Sequence, residues 1–212
     1  MKEYHKIQTV FKRDEKTKHI IEGDYTLPEV EFLKDVTWVF TEKVDGTNIR
    51  VMWNGSSVVF GGKTEDAQIP VYLLYKLQEL FEGTIKKQIF IDSFGIEPVE
   101  VCLYGEGYGA KIQKAGASYI PDGVDFVLFD VKIGDLWLER ENVVDIAKKF
   151  GIKVVPIIGE GTLTEAIEMV RKGFNSVWGD FVAEGIVARP KVELRNRRGE
   201  RIIMKIKNRD FK

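Results

Sequence analysis

Lys43 stands in Glu42-Lys43-Val44-Asp45-Gly46-Thr47-Asn48, between an apolar run and a glycine turn, with carboxylates close on both sides. A lysine so placed is a candidate nucleophile, because a neutral amine readily forms covalent bonds with electrophilic centres. In water near neutral pH that amine is protonated, so a catalytic lysine needs neighbouring cations or a metal ion. The tail supplies cations: Lys205 and Lys207, in Met204-Lys205-Ile206-Lys207, lie two apart on a strand pattern and share a face. Glu106, in Leu103-Tyr104-Gly105-Glu106-Gly107, and Glu184, in Ala183-Glu184-Gly185-Ile186-Val187, are carboxylates beside glycines. A glycine there lets a ligand come close to the backbone. Between them, Asp125-Phe126-Val127-Leu128-Phe129-Asp130 carries two rings three apart, which face opposite sides of a strand. A lone Lys-x-Asp-Gly arises by chance; five fragments in this order form a specific signal.

These residues need strands to hold them, and the pattern supplies strands. Val36–Phe40 is β-branched and aromatic and leads into Lys43. Thr47–Trp53 alternates and reaches Asn54-Gly55, a signal for a type I′ hairpin returning along Ser57–Phe60. Pro70 followed by Val71, Leu74, Leu77 and Phe81 predicts an amphipathic helix stopped at Gly83. Val99–Tyr104 and Val124–Val131 read as strands, the second joined to Leu136–Leu138 across Gly134-Asp135. Asn142–Phe150 predicts a helix closed by Gly151, and Thr162-Leu163-Thr164-Glu165 is a capping box for a helix ending before Gly173. Strands around Ile186–Ala188 and Arg201–Ile206 complete the pattern. The whole reads as one α+β domain.

At 212 residues, with 44% hydrophobic and 31% charged residues, the chain can bury a core and is not disordered by composition. A net charge of −1 announces no nucleic-acid partner, so such a partner would need a local basic surface. Cys102 is the sole cysteine, which excludes an internal disulfide and a cysteine zinc set, and its apolar setting reads as core. The charged start Met1-Lys2-Glu3-Tyr4-His5-Lys6 opens no secretory signal, and no run is long enough to span a bilayer. The expectation is a soluble cytoplasmic protein with no membrane partner.

In this order the fragments resemble the covalent nucleotidyltransferase superfamily of polynucleotide ligases and mRNA-capping enzymes, and most closely its RNA ligases, from about Glu42 to Lys207. The resemblance implies an ATP-grasp-like nucleotidyltransferase domain of mixed, largely antiparallel sheets with flanking helices. It implies ATP as substrate, Mg2+ or Mn2+, and RNA with 5′-phosphate and 3′-hydroxyl ends. On that resemblance Lys43 is the nucleophile, and Lys205 and Lys207 attend the α-phosphate. Glu106 takes a ribose hydroxyl and Glu184, a strand-end carboxylate outside the core, helps bind the metal. Phe126 stacks on the base while Phe129 packs the core. Glu42 reads the exocyclic amine of adenine, which favours adenine over guanine.

Two positions depart from pattern. Asn48 stands where DNA ligases carry arginine, which is similar to RNA ligases. Lys63, after Phe60-Gly61-Gly62, stands where arginine is more typical, so either Lys63 or Arg50 would meet phosphate. The chain runs five residues past Lys207, and the expectation is a single domain over 1–212 with no appended OB-fold or C-terminal domain. RNA would then be held by exposed cations such as Arg195, Arg197 and Arg198, or through an auxiliary RNA-binding partner; the oligomeric state is open. The rivals are an RNA-capping guanylyltransferase using GTP, and a nucleotide- or RNA-binding module without turnover.

Overall fold

The structure, a computed structural model, describes residues 3–96 and 100–212. In chain order β1 (Gln8–Thr9), β2 (Phe11–Arg13), β3 (Ile20–Tyr25), α1 (Pro28–Phe32) and β4 (Trp38–Glu42) lead up to Lys43. β5 (Thr47–Trp53), β6 (Val58–Gly61), α2 (Val71–Phe81), α3 (Thr84–Phe94), β7 (Val101–Gly109), α4 (Gly116–Tyr119) and β8 (Val124–Ile133) follow. Next are β9 (Leu136–Trp137), α5 (Arg140–Phe150) and β10 (Lys153–Val154). β11 (Ile157–Gly161), α6 (Leu163–Lys172), β12 (Gly185–Pro190), β13 (Met204–Lys207) and a 3-10 turn at Asn208–Phe211 complete the order. The fold is α+β with mixed, largely antiparallel sheets, as expected.

The chain divides into two compact units: a middle unit of Met1–Tyr4 with Asp45–Val155, and a terminal unit of His5–Val44 with Pro156–Lys212. The middle unit is built on the sheet β10-β8-β7-β5-β6, with β9 on β8 and only β10 parallel to its neighbour. Ile49, Val51 and Trp53 alternate along β5 and so share one face, where Leu73, Leu77 and Phe81 of α2 meet them at four-residue spacing. Trp53 stacks on Phe90 of α3 at 5.0 Å between ring centroids. Cys102 lies in this unit, where burial pushes its thiol up to about 12; it is an inert core residue.

The terminal unit carries the sheet β1-β13-β12-β4-β11, in which only β1 and β13 are parallel. Trp38 and Phe40 of β4, Ile186 and Ala188 of β12, and Met204 and Ile206 of β13 form one apolar face, covered by Leu163, Ala166, Ile167 and Val170 of α6. α6 begins with the predicted capping box: Thr162 Oγ1 accepts from the Glu165 amide at 3.2 Å, and Glu165 Oε2 accepts from the Thr162 amide at 2.7 Å. Such a cap is worth about 1 kcal/mol.

Several local expectations are corrected. Trp53 pairs with Val58, so the β5–β6 loop is the four residues 54–57 and not a two-residue type I′ turn. A type I′ turn requires positive φ at Asn54, but only Gly55 has it there; Asn54 Oδ1 instead accepts the amides of Ser56 and Ser57. The stop at Gly83 is also the start of α3, which the pattern did not announce: Phe90 is buried while Ile85 is exposed, so no clean apolar stripe exists. Val99 lies outside the described residues, and the strand runs over Val101–Gly109. The tail strand is Met204–Lys207, preceded by a turn closed by an isolated bridge between Arg195 and Arg201.

Candidate active site

Register decides which side chains in the terminal unit meet. Ile186 pairs with both Glu42 and Ile206, and these three share the apolar face. Thr41, Val187 and Lys205 form the next row and point to the opposite face, as does Lys207, two residues on. Just beyond β4 the Lys43 amide donates to the Gly185 carbonyl at 3.0 Å, which carries Lys43 alongside β12. Gly185 pairs with Lys207, and a Cβ there would lie 2.0 Å from the Ile206 carbonyl oxygen. Only glycine permits this approach, and it sets Glu184 between the two lysines.

The result is an ion triad. Lys43 Nζ lies 2.5 Å from Glu184 Oε2, and Lys207 Nζ lies 2.8 Å from Glu184 Oε1. The three side chains are only 12–20% exposed, so this is no solvated surface pair. Burial pushes the Glu184 carboxyl up, but the ammonium groups of Lys43 and Lys207 more than offset this and hold it below the usual carboxylate range. The expectation that Glu184 lies outside the packed interior is thereby corrected. Among the described residues no group of three His, Cys, Asp or Glu could hold a metal ion. One carboxylate beside phosphate oxygens still fits magnesium or manganese, which take few protein ligands in such sites.

Glu42, expected to read adenine, is instead a loop anchor. It is 1% exposed; Oε1 accepts from Ser176 Oγ at 2.5 Å and Oε2 from the Val177 amide at 2.9 Å. A base could reach it only by displacing that loop. The sequence held the signal: Trp38, Phe40 and Glu42 alternate, which puts Glu42 on the aromatic, core-facing side. Burial raises the Glu42 carboxyl and the two hydrogen bonds lower it less, so the net direction is up. A raised carboxyl means that the fold binds more protons than the unfolded chain, and stability falls as pH rises from the ordinary carboxyl range through the raised value. Glu42→Gln should therefore melt above wild type at pH 7–8, with its amide donating to Ser176 and its carbonyl accepting from Val177. Glu42→Ala should cost about 1–3 kcal/mol, since the loop donors lose their acceptors. Thermal melts decide this, and a Gln variant melting below wild type at neutral pH would show that the loop needs the charge.

In the middle unit, Asn48 and Glu106 are direct cross-strand partners on the face away from the core. Glu106 is partly exposed, and Asn48 Oδ1 is buried with no hydrogen-bond partner among the described residues. Phe126 does not join them. It pairs with Gly107, lies on the opposite face with Ile49, is fully buried and meets the Phe81 ring at 5.4 Å. Gly105 is a glycine because a Cβ would lie 2.1 Å from Phe126 Cζ. The assignment of Phe126 is corrected: it packs the core, while Phe129, at the β7–β8 bulge, is half-buried against Tyr4 at 5.1 Å between ring centroids. Arg50 is likewise corrected, being 2% exposed with Nε donating to the Gly62 carbonyl at 2.9 Å. Lys63 is exposed and has no side-chain partner among the described residues, so of the two it is the cation open to a phosphate. Arg195, Arg197 and Arg198 are exposed around the 195–201 turn; Arg195 pairs with Glu193 at 2.9 Å.

No curated protein sequence matches the chain. Solved structures of Naegleria gruberi RNA ligase do. A lysine-to-alanine variant with ATP and Mn matches with a TM-score of 0.64 at 19% identity, covering 97% of this chain and 62% of that one. A second such variant with ATP and Mn gives 0.61 at 20% identity, covering 85% and 52%. The ligase with PPi gives 0.62 at 19% identity, covering 96% and 61%. The chain thus spans about half the length of the structures it matches, and at these identities the likeness establishes the fold. Residues 36–207 match the RNA ligase family profile, a span that contains all five sequence fragments. With that match covering most of the chain, it belongs to the RNA ligase family of the covalent nucleotidyltransferase superfamily.

Proposed function

We propose that residues 1–212 form the adenylylating domain of an ATP-dependent RNA ligase that joins 5′-phosphate to 3′-hydroxyl ends. The observation that carries this reading is the Lys43–Glu184–Lys207 triad in a member of the RNA ligase family. Lys43 Nζ, freed of its proton and of Glu184, attacks the α-phosphorus of ATP. A P–N bond forms and the bond to the β-phosphate breaks, releasing pyrophosphate. An oxygen of an RNA 5′-phosphate then displaces the lysine from AMP. Finally a 3′-hydroxyl attacks the activated 5′-phosphate, AMP leaves, and a phosphodiester is made.

The chain's own groups have distinct tasks in these steps. Lys205 and Lys207 present positive charge to the α-phosphate as its geometry changes, which positioned cations do throughout phosphoryl transfer. In the middle unit, the family resemblance gives Glu106 a ribose hydroxyl and Lys63 a phosphate, with Asn48 Oδ1 an acceptor beside Glu106. Glu184 would hold a magnesium or manganese ion, which supplies positive charge against the phosphate oxygens when bound. No helix among the described residues is long and apolar enough to cross a membrane.

With Glu42 held in the loop, the choice of ATP over GTP rests on family membership and not on a visible base contact. Incubation with α-labelled ATP or GTP and Mn2+ tests it directly. Covalent label from ATP, lost on Lys43→Ala, is the expected result. Label from GTP alone would make the chain a guanylyltransferase, and label from neither would leave a binding module.

A further inference from the structure

Two clefts open in the terminal unit beside the triad. The larger, of about 730 Å³, is walled by His5, Lys6 and Gln8 on one side and by the 195–203 turn on the other. The smaller, of about 360 Å³, runs from Lys6 past Thr9 to Lys205 and Lys207. They share Lys6 and Gln8, and Lys207 is already a member of the triad. Cavity and candidate nucleophile are thus linked through named side chains of one unit.

Charge in these clefts runs against that of the chain. The whole protein has a net charge of −1, yet the larger cleft sets one lysine and four arginines against Glu29 and Glu200. The smaller sets Lys6, Arg13, Lys205, Lys207 and Arg209 against Asp210, which pairs with Arg13 at 2.7 Å. Glu193 pairs with Arg195 at 2.9 Å and lies 3.8 Å from Arg201. Lys6, Arg197 and Arg198 are exposed and have no side-chain partner among the described residues. The arginine turn is shaped in advance: Asn196 Oδ1 accepts the amides of Arg198 and Glu200, and Gly199 takes φ +78°. Among the described residues neither cleft is lined by a phenylalanine, tyrosine or tryptophan, so within the clefts bases meet no ring to stack on.

We propose that the two clefts form one track for the phosphodiester backbone of an RNA strand, running from the Arg197-Arg198 turn past Lys6 to Lys205 and Lys207. This deepens the ligase reading and rests on it for the identity of the strand. Cations without aromatic rings grip phosphates and not bases, so binding is independent of sequence and falls steeply with salt.

The test uses the full chain and a labelled, 5′-phosphorylated single-stranded RNA in two unrelated sequences. Lys6→Ala, Arg197→Ala/Arg198→Ala and the triple variant are titrated at several salt concentrations, with melting temperatures checked for each. The triple variant should bind both RNAs at least about tenfold more weakly, with a salt slope shallower by about two, as expected for three lost phosphate contacts on a single strand. Lys6→Ala alone should weaken both. Unchanged affinity and slope in folded variants would overturn the track. So would a loss confined to one sequence, or polyglutamate competing as well as RNA. Self-labelling with ATP is measured on the same wild-type protein: RNA binding as expected without label removes the ligase reading and leaves the track. Label with RNA binding indifferent to all three cations removes the track alone.

Discussion

Lys43→Ala is expected to abolish self-adenylylation while leaving a protein that still seals RNA already carrying a 5′-adenylate. In the proposed mechanism the lysine is the nucleophile only when AMP is taken from ATP, and Lys43 alone is given that P–N bond. The loss should be at least about a thousandfold, the scale seen when a covalent nucleophile is removed. The fold should survive, because Glu184 keeps its 2.8 Å contact with Lys207 when Lys43 is gone. In the proposed mechanism, sealing of pre-adenylylated RNA begins with AMP in place as a leaving group and draws on Lys205, Lys207 and Glu184 instead. It should persist without ATP, slowed about ten- to a hundredfold because one positive charge near the phosphate is lost. A gel assay for joined product measures the second step, and covalent label measures the first. Normal self-labelling by the variant would place the nucleotide on another lysine.

How far the sequence foretold this site follows from what kind of information each residue carries. Motif order singled out Lys43, Lys207 and Glu184, and the structure brings the Glu184 carboxylate to 2.5 Å from Lys43 and 2.8 Å from Lys207. Their near burial was not legible, since the 174–184 loop and the Gly185–Lys207 approach are tertiary. Thr47–Trp53 and the α6 capping box were read correctly because period-two alternation and cap chemistry are local. Glu42 and Phe126 went wrong for one shared reason. A motif assigns a role by position, whereas strand parity assigns a face, and parity puts both side chains on the core side of their sheets. Arg50 failed differently: its parity is right, but the carbonyl of Gly62, at the end of the adjacent strand, captures its guanidinium.

Glu184 variants should separate architecture from chemistry. In Glu184→Ala the ammonium groups of Lys43 and Lys207, formerly 2.5 and 2.8 Å from one carboxylate, are left without it in a mostly buried place. Breaking such a cluster typically costs about 3–5 kcal/mol, so this variant should melt well below wild type. Its inactivity would say little alone. Glu184→Gln keeps the shape and two polar atoms but not the charge, and should fold closer to wild type while adenylylation falls at least about a hundredfold, measured well below its melting temperature. The pH dependence carries the sign. Lys43 and Lys207 hold the Glu184 carboxyl below its ordinary value, so the stability it confers is complete above that ordinary range and is lost as pH falls through the depressed value. The wild-type advantage over Glu184→Gln should therefore be flat at neutral pH and close in acid. Glu42 has the opposite sign in an overlapping range, so the comparison is cleanest in a Glu42→Gln background. An advantage that does not close in acid would mean that the triad is not held by the carboxylate's charge. Wild-type rates of lysyl-AMP formation in a folded Glu184→Gln protein would remove Glu184 from the chemistry and leave it a structural clamp on two lysines.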